Sequence, residues 1–252
     1  MDEFNYSGRF FAFGCSFTIN NSRPTWADIV GQQFAEYQNW ARGGSGNQYI
    51  FNSLIECNQR NKFTANDTIM IMWSSTTRED RYVADQHGWI GNGNIYYQNI
   101  YSKDFVQKFA CERGYLLRDL ATISAATELL KSWGVTSKQF TMLPFHIAEV
   151  QGCIQKGSNA DILDLYRSVT DQLEPSVYEV VFNSEDWQKK QSNFGVWIDD
   201  EQTIRDAHPD PIEALAYVNT VLPNLIIKQQ TLDWLYNFKY GTEIPYIPLD
   251  RF

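Results

Sequence analysis

Paired cysteines are missing from this sequence. The four present, Cys15, Cys57, Cys111 and Cys153, lie far apart with no CxxC spacing, which excludes a zinc knuckle and a disulfide framework and predicts reduced thiols. Positive charge is also scarce: 21 lysines and arginines stand against 30 acids, a formal charge of −9. No basic run exists that would neutralise a phosphate backbone, so nucleic acid and anionic membrane surfaces are not expected partners. No window approaches the ~20 apolar residues of a membrane span. The opening "MDEFNYSGRF" carries acids where a secretory leader needs basic residues and then an apolar stretch. A cytoplasmic location follows as the expectation, and the glycosylation-like tripeptides at Asn5, Asn20 and Asn66 carry no meaning without secretion. Internal repeats and Ser/Gly linkers are absent too, so the 252 residues, 43% apolar and 20% charged, read as one folded domain.

What is present alternates between strand and helix. Residues 8–13 predict a short buried strand, ended by Gly14 and a polar loop that runs to Pro24. Pro24 suits the first turn of a helix over 24–37, with Trp26, Ile29, Val30 and Phe34 on one face. "YQNWA" predicts a short strand, "RGGSGN" a glycine-rich loop, and "NQYIFNSLIECNQR" a second amphipathic helix with Ile50, Leu54 and Ile55 in a stripe. "DTIMIMW" is the strongest strand signal. A helix over 104–133 and a strand at "KQFTMLPF" follow, then a helix near 159–172, a strand at "VYEVVF" and a helix in "HPDPIEALAYVNTVLPNLI", whose apolar face carries Ile212, Leu215, Ala216 and Leu222. The end, "GTEIPYIPLDRF", reads as an extended tail. This order predicts a parallel sheet covered on both faces, in a single domain with insertions at about 76–104 and 171–205.

Acyl transfer by a serine needs a hydroxyl on a sharp turn, a histidine to take its proton, an acid to orient that histidine, and donors for the oxyanion. Ser16, in "FFAFGCSFT", follows a buried strand and a glycine, at the carboxyl end of the expected sheet, where sites in open α/β folds lie. His208, one of three histidines, comes two residues after Asp206 in "DAHP". Each has an ordinary structural role beside the chemical one: Ser16 as a turn residue, Asp206 as a helix cap.

Taken together, these blocks resemble the SGNH hydrolases, the GDSL family of esterases and lipases, in a form similar to its phage and bacterial members. "GCS" at 14–16 matches the family's GDS block with cysteine in place of aspartate. "NWARGG" supplies Asn39 and Gly44 at the spacing of its second block. "DAHP" matches the last block, with one residue rather than two between acid and base. "WSSTTRED", after the third strand, lacks the family's asparagine. The resemblance implies a flavodoxin-like three-layer α/β/α sandwich and a metal-free serine esterase that needs no cofactor. In it Ser16 attacks an ester carbonyl, His208 serves as general base and then acid, and Asp206 holds the imidazole. The amides of Ser16 and Gly44 donate to the oxyanion, with a hydroxyl of Ser74 or Thr76 in place of the missing asparagine.

Cys15 competes as nucleophile, since a thiol is intrinsically stronger. In extended chain, however, Cys15 and Ser16 point to opposite sides and cannot both face one histidine; the family pattern favours Ser16. His146 ends the fourth strand and His87 sits in the first insertion without an acid at a telling spacing. "GGSGN" lacks the GK[ST] of a phosphate loop. Tyr82, Trp89, Tyr96, Tyr97 and Tyr101 either stack on a saccharide or give the insertion its own small core. The substrate implied is a small ester, such as an O-acetyl group on carbohydrate. The alternative is an SGNH-fold protein without turnover, serving as a carbohydrate-binding or virion-associated component.

Overall fold

The structure, a computed structural model, describes residues 4–20, 22–86, 88–96, 101–145, 147–150, 153–156, 159–182, 197–198, 204–205 and 208–238. The apolar runs form the expected strands β1 (Arg9–Phe13) and β3 (Thr68–Trp73), with β2 (Glu36–Asn39) between them in the chain. The hairpin β4 (Arg78–Val83) and β5 (Gly88–Asn94) follows, and then β6 (Thr136–Thr141). The main sheet is parallel in the order β2-β1-β3-β6.

Side chains leave this sheet alternately to its two faces, as a period of two requires. Phe10, Ala12, Met70 and Met72 pack on helices α1 (Trp26–Gly31) and α7 (Pro211–Val221). Phe11, Phe13, Ile69, Ile71 and Trp73 pack on α2 (Asn47–Asn61) and α4 (Glu112–Trp133). The three-layer α/β/α arrangement therefore holds. Each large side chain so buried contributes ~1.5–3 kcal/mol. β1 connects to β2 on one side, and the chain returns to β3 on the other, so the crevice outside the carboxyl ends of β1 and β3 is the topological switch point of the sheet.

Several expectations are corrected. The helix expected over 24–37 stops at Gly31, because the next turn gives way to β2; Phe34 still joins the core. The helix expected over 104–133 is two, α3 (Lys103–Phe109) and α4, each with its own cap, Ser102 and Cys111. The one near 159–172 is likewise split into α5 (Ala160–Leu165) and α6 (Arg167–Thr170). "VYEVVF" is not a strand: Tyr178–Phe182 forms a turn of π-helix. Its cause is a capping box, in which the Glu179 carboxylate accepts from the Ser176 amide at 2.8 Å and hydroxyl at 2.7 Å. In α7, Ile212 and Ala216 face solvent, while Ala214, Leu215, Tyr217 and Val218 are buried. A further helix, α8 (Gln229–Tyr236), precedes the expected tail, which lies outside the described residues. Among the described residues three small antiparallel pairs stand apart from the main sheet: β4–β5, β7 (Ile147–Val150) with β8 (Cys153–Lys156), and β9 (Trp197–Ile198) with β10 (Ile204–Arg205).

The first insertion is the β4–β5 hairpin, and polar contacts lock it to α2. Asp80 accepts from the Gly46 and Tyr49 amides at 2.7 and 2.9 Å, capping α2 at its positive end. Asn47 grips both backbone groups of Ser74, accepting from its amide at 2.7 Å and donating to its carbonyl at 3.1 Å. It also donates to buried Asp119 at 2.8 Å, which takes a second bond from Arg118.

Candidate functional site

β1 ends at Phe13 and the chain turns at once. The Cys15 carbonyl accepts from the Thr18 and Ile19 amides at 2.9 and 3.1 Å, so Ser16 and Phe17 sit at the middle of a tight turn. Gly14 is needed there: a Cβ would meet the Thr18 hydroxyl at 2.0 Å and the Met72 carbonyl at 3.1 Å. Three ties hold the turn. Asn39 donates to the Thr18 carbonyl at 2.8 Å, Thr25 to the same oxygen at 2.7 Å, and the Trp26 indole to the Thr18 hydroxyl at 3.2 Å.

Ser16 is half-buried and lines a pocket with Phe17, Arg23, Trp26, Tyr217 and His208. The sequence-predicted serine and histidine thus meet at the switch-point crevice, from opposite ends of the described chain. The Phe17 ring lies 5.0 Å from the imidazole, and Arg23 donates to the His208 carbonyl at 3.5 Å. α7 begins just beyond, through a capping box in which Asp210 accepts from the Ile212 and Glu213 amides at 2.9 and 2.8 Å. Among the described residues no direct hydrogen bond joins Ser16 to His208. The pocket's free volume, about 10 Å³, is near that of one water. Asp206, His87 and His146 lie outside the described residues.

Cys15 points away from this pocket. Its side chain is wholly buried, with Sγ against Met142 Sδ at 3.9 Å. The two side chains part in a tight turn beyond the end of β1, not by the alternation of extended chain.

The loop after β2 carries Gly44, whose φ of 74° lies in the left-handed region that favours glycine. Two bonds tie that loop to the Gly14 carbonyl, from the Arg42 amide at 3.2 Å and the Ser45 hydroxyl at 3.2 Å. The Gly44 carbonyl in turn accepts from the Gly93 amide of the hairpin at 2.8 Å. Gly44, Ser74 and Thr76 are not among the residues that line the Ser16–His208 pocket. The Ser74 hydroxyl is buried without a hydrogen-bond partner among the described residues, and the Thr76 carbonyl receives Arg118 at 3.3 Å.

The hairpin aromatics pack with one another and with neighbouring helices. Trp89 meets Tyr49 and Tyr82 edge-on at 6.0 and 5.8 Å, and Tyr101 stacks on Phe105 at 5.1 Å. These contacts are those of a small core, although Tyr82 is 52% exposed. Tyr97 lies outside the described residues.

Arg23 lines the pocket and Arg78 lies outside it, against Ser45 and Met142; neither carries any signal in the sequence, because an arginine in a polar run reads as solvated surface. Both are buried, at 5% and 9% exposure. Asp28, in the first turn of α1, is pushed up to about 6 by burial, against the bonds it accepts from Thr25 and Tyr37. Among the described residues no group of histidines, cysteines and acids is arranged to hold a metal ion.

No family model and no curated protein matches the chain. Solved structures do. A Bacillus subtilis protein is 12% identical over 85% of this chain, which spans 56% of that one, with a TM-score of 0.44. The psychrotrophic esterase EstA from Pseudoalteromonas sp. is 8% identical, covering 92% of this chain and 100% of that one, TM-score 0.41. A member of the lipolytic protein G-D-S-L family from Veillonella parvula is 16% identical, covering 85% and 96%, TM-score 0.41. At TM-scores below 0.5 these likenesses do not reach the chemistry, which has to be read from the site itself.

Proposed function

We propose that the protein is a serine ester hydrolase. The observation that carries this reading is the meeting of Ser16 and His208 on one pocket at the carboxyl edge of β1. In the proposed reaction the Ser16 hydroxyl adds to the ester carbonyl and passes its proton to the imidazole of His208. The carbonyl π pair moves to oxygen, where the Ser16 and Gly44 amides donate, with Ser74 or Thr76 assigned the third donor by the resemblance. Collapse expels the alcohol, which takes the proton from His208, and water repeats the sequence on the acyl-enzyme. Asp206 orients the imidazole. The proposed substrate is a small ester, such as an O-acetyl group on a saccharide.

The test is hydrolysis of p-nitrophenyl acetate by the purified protein beside its Ser16→Ala variant, with a fluorophosphonate probe to locate the nucleophile. Labelling at Ser16 and a loss of at least ~10³-fold in the variant are expected. Equal rates in both proteins sink the assignment. The absence of a direct Ser16–His208 hydrogen bond favours one competing reading, a binding protein of this fold without turnover. That reading predicts no labelling at all, whereas an enzyme whose catalytic bonds tighten on substrate binding is labelled.

A further inference from the structure

Of the three ties on the turn that carries Ser16, one has a rival. The Thr25 hydroxyl owns a single proton and has two acceptors in reach, the Thr18 carbonyl at 2.7 Å and Asp28 Oδ2 at 2.8 Å. Thr25 is buried and lines the Ser16–His208 pocket, and Asp28 is buried next to it in the first turn of α1. An acid at this place has an ordinary role: Asp28 Oδ2 accepts from the Thr25 amide at 2.8 Å, half of a capping box on α1. Capping accounts for the amide and leaves the hydroxyl undecided.

The charge on the carboxyl decides which acceptor takes the proton. A carboxylate draws hydrogen bonds roughly twice as strong as a neutral acceptor does, so ionised Asp28 captures the Thr25 proton and the Thr18 carbonyl keeps its bond from Asn39 at 2.8 Å. Neutral Asp28 is the weaker rival and leaves the hydroxyl to Thr18. Burial holds the acid form up to about 6, against the bonds from Thr25 and Tyr37. Tyr37 of β2 donates to Asp28 Oδ1 at 3.1 Å. The other charged groups on elements packed against α1 are exposed or engaged elsewhere: Glu36 at the exposed start of β2, Arg9 of β1 with Asp67, and Glu213 of α7 with the Asp210 amide. On the pocket side stand His208 and Arg23, which donates to the His208 carbonyl. Short links carry the state of the Thr18 carbonyl to Ser16. The Thr18 amide closes the turn on the Cys15 carbonyl at 2.9 Å, and Thr18 packs so tightly on Gly14 that a Cβ there would meet its hydroxyl at 2.0 Å.

We propose that Thr25 and Asp28 are positioning residues for Ser16: with Asp28 neutral the Thr25 hydroxyl fastens the Thr18 carbonyl and holds the turn, and with Asp28 ionised the hydroxyl swings to the carboxylate and the turn loosens. The inference rests on the serine-hydrolase assignment. One proton passes between the Asp28 carboxyl and solvent; neither residue bonds the substrate.

The experiment follows kcat/KM on p-nitrophenyl acetate from about pH 5 to about pH 8 in wild-type, Asp28→Asn, Thr25→Val and Thr25→Ser proteins. Thermal melts show folding, and amide exchange at Thr18 and Ile19 reads the turn itself. Asparagine keeps an acceptor for the Thr25 amide without the charge, so Asp28→Asn retains the tie throughout. The ratio of wild-type to Asp28→Asn kcat/KM, in which the His208 limb common to both cancels, is expected near unity at the acid end and to fall about 2- to 10-fold toward the alkaline end. Protection of the Thr18 and Ile19 amides is expected to fall in parallel in wild type and to hold in Asp28→Asn. Thr25→Val is expected to be about 2- to 10-fold slower than wild type at the acid end and to lack the step, which Thr25→Ser restores. A ratio that stays flat with pH overturns the proposal, as does one that falls while protection holds. If Asp28→Asn does not fold, the ratio of Thr25→Val to wild type decides: it rises toward unity with pH, and a constant value overturns the proposal. Wild-type protein that is neither labelled at Ser16 nor active ends the hydrolase assignment and this inference with it. Labelling and turnover beside a flat ratio end only the inference.

Discussion

The two faces of the sheet are held together by different means. On the α2/α4 face, buried polar groups are interlocked at short range around the hairpin. Asn47, Ser74, Asp80, Arg118 and Asp119 share a network in which Asn47 alone serves both Ser74 and Asp119. On the α1/α7 face the polar ties instead span the chain. Gln33 bonds Thr231 across 198 residues, the Lys228 amide bonds Gln33, and Arg23 reaches His208 across 185. The pocket lies on this second face. A local network gives a scaffold that forms early and stays put, whereas long-range closure delays assembly of the site until the two ends of the chain dock.

This contrast can be broken most forcefully at Trp26. Trp26→Ala removes an indole packed on Phe140, bonded to Thr18 and lining the pocket. It is expected to cost about 3–5 kcal/mol in urea melts and to lower kcat/KM in whatever remains folded. Asn47→Ala probes the opposite face: it strands the Ser74 amide and carbonyl and one bond of Asp119, for about 2–3 kcal/mol, yet leaves the pocket residues untouched. If Asn47→Ala lost more activity per folded molecule than Trp26→Ala, the division between scaffold and site would fail.

A smaller effect sharpens the comparison through pH. Burial pushes Asp28 and Asp119, one on each face, up to about 6. Both groups ionise near 3.8 when unfolded, so between pH ~4 and ~6 the folded protein holds more protons and stability falls as pH rises. The Tm is expected to be roughly 3–6 °C higher at pH 5 than at pH 7. Asp67 is held low by Arg9, and its opposite contribution is lost only below that window. Asp28→Asn and Asp119→Asn each flatten part of the slope and tell which face titrates. The smallest change expected is at Arg60→Ala, which breaks an exposed pair with Glu56 one helical turn away. It costs at most about 0.5 kcal/mol, and a larger loss by thermal melt would mean that the α2 surface matters to the scaffold.

Much of the fold was legible in the sequence because its strands are unusually apolar. β1, β3 and the stripe on α2 read directly from periodicity. Periodicity misled where local capping competes with it. "VYEVVF" has the β-branched and aromatic content of a strand, yet Ser176 and Glu179 stand at capping-box spacing, and that chemistry prevails. β2 is short and polar; "YQNWA" marked it as a strand, and only the end of the helix expected over 24–37 overran its first residues. At the candidate pocket, Ser16 and His208 were singled out by motif spacing, and both line it. Buried Arg23 was not, since nothing in a linear pattern separates a solvated cation from one enclosed by loops distant in sequence.

The bond from the Gly93 amide to the Gly44 carbonyl has one more consequence. The hairpin stays clear of the pocket, yet it holds by the next peptide the glycine whose amide is assigned to the reacting oxygen. Under the proposed reading an insertion of this kind is a lever arm: changes in its length or register would re-aim the Gly44 amide while Ser16 and His208 stay the same.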